Sequence, residues 1–185
     1  MQKDFPVKVL DTFSDNRGNV LALLLEIENK KILLQGVYGP NRDEPDFYKY
    51  ECFRKMYDWN TNYVICVGDW NIPLSPDIDT LNYHNYNNPR ARTELHHKIT
   101  EFDLVDVYRE LNPTEKKYTW KQWGAQKFSR LDYFITSRSL LPYIKKTEIL
   151  PSCFSDHYPI SLEVDFAHFI RGTGFWKLNN SLLYM

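Results

Sequence analysis

The alternation of apolar and polar positions divides the chain into short strands and a few helical stretches. Val7 to Phe13 alternates, Ser14-Asp15-Asn16-Arg17-Gly18 is dense in turn formers, and Asn19 to Ile27 is almost continuously apolar. Glu28-Asn29-Lys30 turns the chain into Lys31 to Tyr38, so this opening part predicts an antiparallel meander of three strands. Gly39-Pro40 then forces a loop and leaves the Tyr38 phenol and the Asn41 amide at a strand end. Asp43-Glu44-Pro45 suits the start of a helix, because acids and proline are favoured in a first turn. Phe47, Tyr50, Phe53, Met56 and Tyr57 follow at helical spacing to about Asn60, and that stripe reads as core packing.

The helix leads into Tyr63-Val64-Ile65-Cys66-Val67-Gly68-Asp69-Trp70-Asn71. Its apolar run predicts a strand buried on both faces. Gly68 permits a sharp bend or the close approach of another backbone, and Asp69 and Asn71 sit just past the strand's carboxyl end. On these residues alone, an Asx-turn explains the acid and the amide as well as chemistry does. A Pro-, Asp- and Asn-rich loop runs to Asn88-Pro89, a cap and first turn for a helix whose buried stripe is Ala91, Leu95, Ile99 and Phe102. Arg90, Arg92, His96, His97 and Lys98 lie off that stripe and read as a solvated face. Leu104 to Arg109 follows and ends at Asn112-Pro113.

Tyr118 to Lys121 and Phe128 to Ser137 predict a basic hairpin with Trp123 at its tip. Inside its second strand Asp132 stands in an apolar, aromatic run, and a buried carboxylate needs a partner. A helical turn at Ser139 to Tyr143 and a strand near Thr147 to Leu150 lead to Ser155-Asp156-His157-Tyr158-Pro159, and Ile160 to Phe166 alternates as a final strand. From Ala167 the pattern breaks into a Gly-rich linker and a Trp-Lys-Leu-Asn-Asn segment, which divides the chain into a domain at 1-166 and a tail at 167-185.

Length, charge and cysteines narrow the picture. The 185 residues suffice for one domain with a real core. The net charge of −1 means that a nucleic-acid partner would be held by a local patch and not by a global field. Cys52, Cys66 and Cys153 are widely spaced without a CxxC pair, which predicts reduced thiols in an intracellular protein. No apolar run is long enough to span a bilayer, so no membrane partner is expected.

Taken in order, Gly68-Asp69-x-Asn71, Ser129-Arg130-x-Asp132-Tyr133-Phe134 and Ser155-Asp156-His157-x-Pro159 resemble the endonuclease/exonuclease/phosphatase superfamily over Val7 to Phe166. The resemblance is closer to the endonuclease domains of non-LTR (LINE-type) retrotransposons. Tyr38-Gly39-Pro40-Asn41 is similar to that branch's YAPN, with Gly in place of Ala, and Asp103 to Pro113 with Tyr118-Thr119 is similar to its DLxDxYRxLxP…YT segment. Trp176 to Leu183 resembles the WKxNNxLL that leads toward the reverse transcriptase.

The resemblance implies an α/β fold, a two-sheet α/β sandwich of this type, but a partial one. The family's first strands, which carry an Asn and the Glu that is its principal metal ligand, have no counterpart here, and Glu26 and Glu28 lie outside that Glu's motif. It also implies catalytic roles for Asp69, Asn71, Asp132, His157 and Tyr38: Asp69 for the attacking water, Asn71 for that water or a phosphate oxygen, His157 for the phosphate with Asp132 fixing its tautomer. Mg²⁺, or Mn²⁺, would be held by Asp156 and Asp69. Thr119, Gln122, Trp123, Lys127, Arg130 and Ser155 would contact DNA, the Gln122 to Lys127 hairpin entering a groove. The expected function is retrotransposon-derived, Mg²⁺-dependent nicking of one DNA strand, impaired in this chain. The alternative is a remnant that at most binds DNA. A monomer, a reverse transcriptase domain downstream in the parent element and a nuclear location complete the expectation.

Overall fold

The computed structural model describes residues 7–83, 87–152 and 154–166. Strands β1 (Val7–Ser14), β2 (Val20–Ile27) and β3 (Lys30–Tyr38) form the antiparallel meander that their alternation predicts. Strand β4 (Tyr63–Asp69) lies parallel to β3, as expected of a strand reached through a helical crossover. With β6 (Leu104–Asp106) and β9 (Asp132–Ser137) these make a six-stranded sheet of order β1-β2-β3-β4-β9-β6.

Helices cover one face of this sheet, where Val20, Ala22, Leu33, Cys66, Trp70 and Tyr133 meet Phe47, Phe53, Ala91 and Leu95. On the other face Leu25, Ile27, Ile32 and Ile65 pack with Leu140 and with Leu162 and Val164 of the small sheet β10 (Ile144–Ile149)–β11 (Ile160–Val164). A third sheet joins β5 (Thr80–Leu81), β8 (Phe128–Ser129) and β7 (Trp120–Lys121).

The helical segment after β3 departs from a single α-helix. A π-helical turn spans Phe47–Cys52, Phe53 breaks the geometry, and α1 follows at Arg54–Trp59. The wider turn shifts the buried face onto Phe47, Tyr48, Cys52, Phe53 and Met56, so Tyr50 and Tyr57 of the expected stripe are exposed. The expected loop after Asn71 holds a short helix, α2 (Pro76–Asp79).

Helix α3 (Pro89–Glu101) begins where Asn88-Pro89 predicts, but Asn88 does not cap it. Asp43 does, accepting from the Ala91 amide at 2.7 Å, while Asn88 donates to the Asn71 carbonyl. Lys98 is buried against Glu101 and the Tyr57 hydroxyl and so leaves the solvated face, whereas His96 stays exposed on it with a ring nitrogen 2.9 Å from the Leu74 carbonyl oxygen. Asp106 ends β6 and caps α4 (Val107–Leu111) by accepting from the Arg109 amide. The hairpin is shorter than expected: Phe128–Ser129 pairs with Trp120–Lys121, and Arg130-Leu131 carries the chain into β9 of the main sheet. The 167–185 tail and Cys153 lie outside the described residues. Cys52 and Cys66 are free thiols, both buried.

Candidate active site

The site grows from one end of the large sheet. Tyr38 ends β3 opposite Asp69 at the end of β4, and Asp69 lies opposite Asp132 at the start of β9, so three neighbouring strands place a phenol and two carboxylates in one row. Two glycines make this row possible. Gly68 has φ +152°, and a Cβ there would lie 1.8 Å from the Val37 carbonyl oxygen. A Cβ on Gly39 would lie 2.2 Å from the Trp70 carbonyl oxygen and 2.4 Å from the Tyr48 hydroxyl. The departure from YAPN therefore has a steric cause in this chain.

His157 arrives from the far side. The Lys121 amide donates to the Asp156 carbonyl at 3.0 Å and the Tyr158 amide to the Thr119 carbonyl at 2.7 Å, so the 156–158 segment runs beside β7 as an extra strand with His157 bridging Trp120. There the His157 Nδ1–H donates to Asp132 Oδ2 at 2.8 Å. The hydroxyl of Ser155 accepts from the His157 amide at 3.0 Å, and Thr119 Oγ1 accepts from the Leu131 and Asp132 amides, each at 2.9 Å.

Asn71 sits at φ +53°, its amide donating to Asp69 Oδ1 at 3.0 Å while its side chain donates to the Gly39 carbonyl at 2.7 Å. The Asx-turn and the chemical reading thus describe the same residues. Tyr38, Asp69, Asn71 and His157 open onto a cleft of about 340 Å³ that Trp120 and Tyr83 also line.

Electrostatics follow from burial. Desolvation lifts the Asp69 carboxyl to about 6, against the opposing hydrogen bond from the Asn71 amide, with Asp132 adding to the rise. Desolvation also raises Asp132, although Thr119 and His157 oppose it. At His157 burial favours the neutral ring, but the hydrogen bond and charge of Asp132 outweigh it and raise the imidazole above its ordinary value.

Asp69, Asp132 and His157 each offer a ligand atom within 4.8 Å of the others. Asp156 stands outside that group, its Oδ2 accepting from the Trp120 indole at 3.2 Å. Asp132 is committed to His157, and imidazole is a poor ligand for Mg²⁺. The donor set therefore fits a largely hydrated hard cation held through one or two carboxylates, Asp69 first.

Two expected DNA contacts are corrected. Arg130 is 0% exposed, forked between Asp79 and Asp106, and Thr119 is fully buried beneath the Asp132 backbone, so neither faces a ligand. Gln122 and Trp123 are exposed at the hairpin tip, Trp123 by 63%, and Ser155 is exposed in its loop. Lys127 is only half-exposed, its ammonium 4.8 Å from the centre of the Tyr83 ring. Tyr83, Asn88 and Trp120 are cleft residues that sequence reasoning missed, since none lies in a motif with chemistry of its own. The adjacency of Trp120 to Thr119 was the one available signal.

No family model matches the chain. A Xenopus laevis protein described as "Transposon TX1 uncharacterized 149 kDa protein" is 29% identical over 97% of this chain and 14% of its own length. A "DNA-(apurinic or apyrimidinic site) endonuclease" of Dictyostelium discoideum is 28% identical over 82% of this chain and 46% of its own length. The chain thus spans less than half of either relative. Among solved structures, an AP endonuclease from Archaeoglobus fulgidus superposes with a TM-score of 0.66 at 18% identity, covering 85% of this chain and 72% of that one. In sequence the chain is similar to a transposon protein and to an apurinic-site endonuclease, and its fold is that of the endonuclease/exonuclease/phosphatase proteins.

Proposed function

We propose that the chain hydrolyses phosphodiesters of DNA, nicking one strand as retroelement endonucleases do, with Mg²⁺ or Mn²⁺ as cofactor. The observation that carries this reading is the 2.8 Å Asp132–His157 hydrogen bond beside Asp69 and Asn71 in one cleft. In-line attack of water builds negative charge on the phosphoryl oxygens, so the site needs a base, donors and positive charge. Asp69 accepts the proton of the attacking water, and its burial-raised carboxyl brings its basicity nearer neutral pH. Asn71 spends one amide proton on Gly39 and keeps the other for the water or a phosphate oxygen. Asp132 fixes the His157 proton at Nδ1 and stabilises the imidazolium, which donates from Nε2 to the phosphate. The half-exposed phenol of Tyr38 stands where it donates to a phosphate oxygen on the other side of Asp69.

Asp69 would hold the cation, which when bound supplies positive charge against the phosphoryl oxygens; Asp156, expected to share it, stands outside the ligand group with its Oδ2 on the Trp120 indole. So few carboxylates hold Mg²⁺ weakly, so we expect slow cleavage. The same thin donor set fits a chain that binds DNA without cutting it. Supercoiled plasmid distinguishes the two: the nuclease converts it to nicked circles in Mg²⁺ and stops in EDTA, whereas retention of supercoiled DNA at saturating protein would exclude cleavage.

A further inference from the structure

Behind the cleft lies a buried ionic cluster that the chemistry above does not use. Arg130 Nε and Nη2 donate to Asp79 Oδ1 and Oδ2 at 2.8 and 3.0 Å, and Nη1 donates to Asp106 Oδ1 at 3.1 Å with Nη2 on Oδ2. Arg109 adds a second guanidinium, 2.6 Å from Asp79 Oδ1, and the Arg130 guanidinium lies 5.0 Å from the centre of the Tyr133 ring. Asp79 and Arg130 are both fully buried. Taking such charges out of water is costly, and an apolar core at the same place is often as stable, so stability alone does not account for the cluster.

Its position does. Ser129 pairs with Thr80 and Trp120 in the hairpin's sheet, whereas Asp132 pairs with Asp69 in the main sheet. Arg130 and Leu131 form the joint between the two sheets. The joint's backbone is tied by Arg130 N to the Asp79 carbonyl at 2.8 Å and by Trp70 N to the Leu131 carbonyl at 2.9 Å. The Arg130 side chain pins that joint to α2 through Asp79 and to the β6–α4 corner through Asp106, whose carboxylate also caps α4. A guanidinium forked between two carboxylates has its plane fixed, and with the Arg130 amide bound to the Asp79 carbonyl it restrains the backbone that carries it. We infer that Arg130 is a positioning residue: with Asp79 and Asp106 it locks the hairpin's sheet to the main sheet, so that Asp132 and the His157 segment beside β7 stand opposite Asp69.

This assignment rests on the proposed hydrolysis only for its kinetic consequence; the geometric consequence is readable without DNA. The test compares the chain with Arg130→Lys and with Arg130→Met/Asp79→Asn/Asp106→Asn, which removes three of the cluster's four charges and leaves Arg109, while Asn keeps the acceptor for the Arg109 amide at position 106 and for the Ser75 amide at position 79. Each is checked for fold by circular dichroism and thermal melting. The ¹⁵N shifts of the His157 ring and its Nδ1 proton are then read by NMR, and kcat and KM on a duplex oligonucleotide are measured. Arg130→Lys is expected to broaden or lose the Nδ1 proton signal and to lower kcat about 10- to 100-fold with KM within about twofold, because small misplacements of reacting groups cost that much. The triple variant is expected to melt near the parent chain yet share the altered His157 signature. A folded variant with the parent's His157 signals, or a triple variant that recovers both signals and kcat, would overturn the inference. An unchanged NMR contrast in a chain with no nuclease activity would instead overturn the proposed function and leave the positioning role standing.

Discussion

At the scale of single residues, the site holds charge where the fold would be better off without it. The Asp69 carboxyl is raised from 3.8 to about 6 by burial, so folding disfavours its ionised form relative to the unfolded chain although that form still predominates at neutral pH. Because the folded value exceeds the unfolded one, the stability tied to Asp69 is complete below about pH 3.8 and is lost as pH rises through about 6. Asp69→Asn, which keeps the acceptor for the Asn71 amide, should therefore melt with the parent chain near pH 4. Near pH 8 it should melt about 2–4 °C higher, taking ~1 kcal/mol after discounting for solvent screening. Melting curves across that range check this, and a constant offset would show that the carboxyl is not strained by burial. Gly68 is the opposite case, a residue with no chemistry on which the chemistry depends. Gly68→Ala drives a methyl into the Val37 carbonyl, and a loss of at least about 2 kcal/mol is expected by denaturant titration.

At the scale of elements, what was legible in the sequence was whatever a local pattern dictates. The meander, the buried β4 and the Ala91-Leu95 face of α3 follow from alternation, apolar runs and helical spacing. The errors arise where a partner distant in sequence decides the outcome. Asn88-Pro89 has the composition of a cap, yet the acceptor comes from Asp43, and Asp43→Ala should destabilise the chain by about 1 kcal/mol where Asn88→Ala leaves the α3 amides satisfied. Arg130 looks like part of a basic hairpin until Asp79 and Asp106 close around it. Of the site, the need of Asp132 for a partner was legible from its apolar run and the His157 imidazole as that partner from the family resemblance, whereas the aromatic wall of Tyr83 and Trp120 was not legible. For the proposed DNA contact the hairpin offers its exposed tip. Trp123→Ala/Lys127→Ala should weaken DNA binding and reduce the slope of log affinity against log salt by roughly one unit, read by fluorescence anisotropy, and an unchanged slope would remove the tip from the interface.

At the scale of the whole molecule, two sheets meet at one cleft and a third supports them from the opposite face. The main sheet sets Tyr38, Asp69 and Asp132 in a row, and the hairpin's sheet carries His157 to them beside Trp120. The small β10–β11 sheet packs beneath, on the face of Ile65 and Phe134. The central claim is that this assembly cleaves DNA through the Asp132–His157 couple and Asp69. It is tested most directly by single-turnover cleavage of an end-labelled duplex in Mg²⁺ by the parent chain, His157→Ala and Asp69→Ala, with DNA binding measured alongside. Slow but measurable nicking by the parent is predicted, with each variant at least about 10²-fold slower and binding DNA within about threefold of the parent. Cleavage by both variants at the parent's rate would contradict the account.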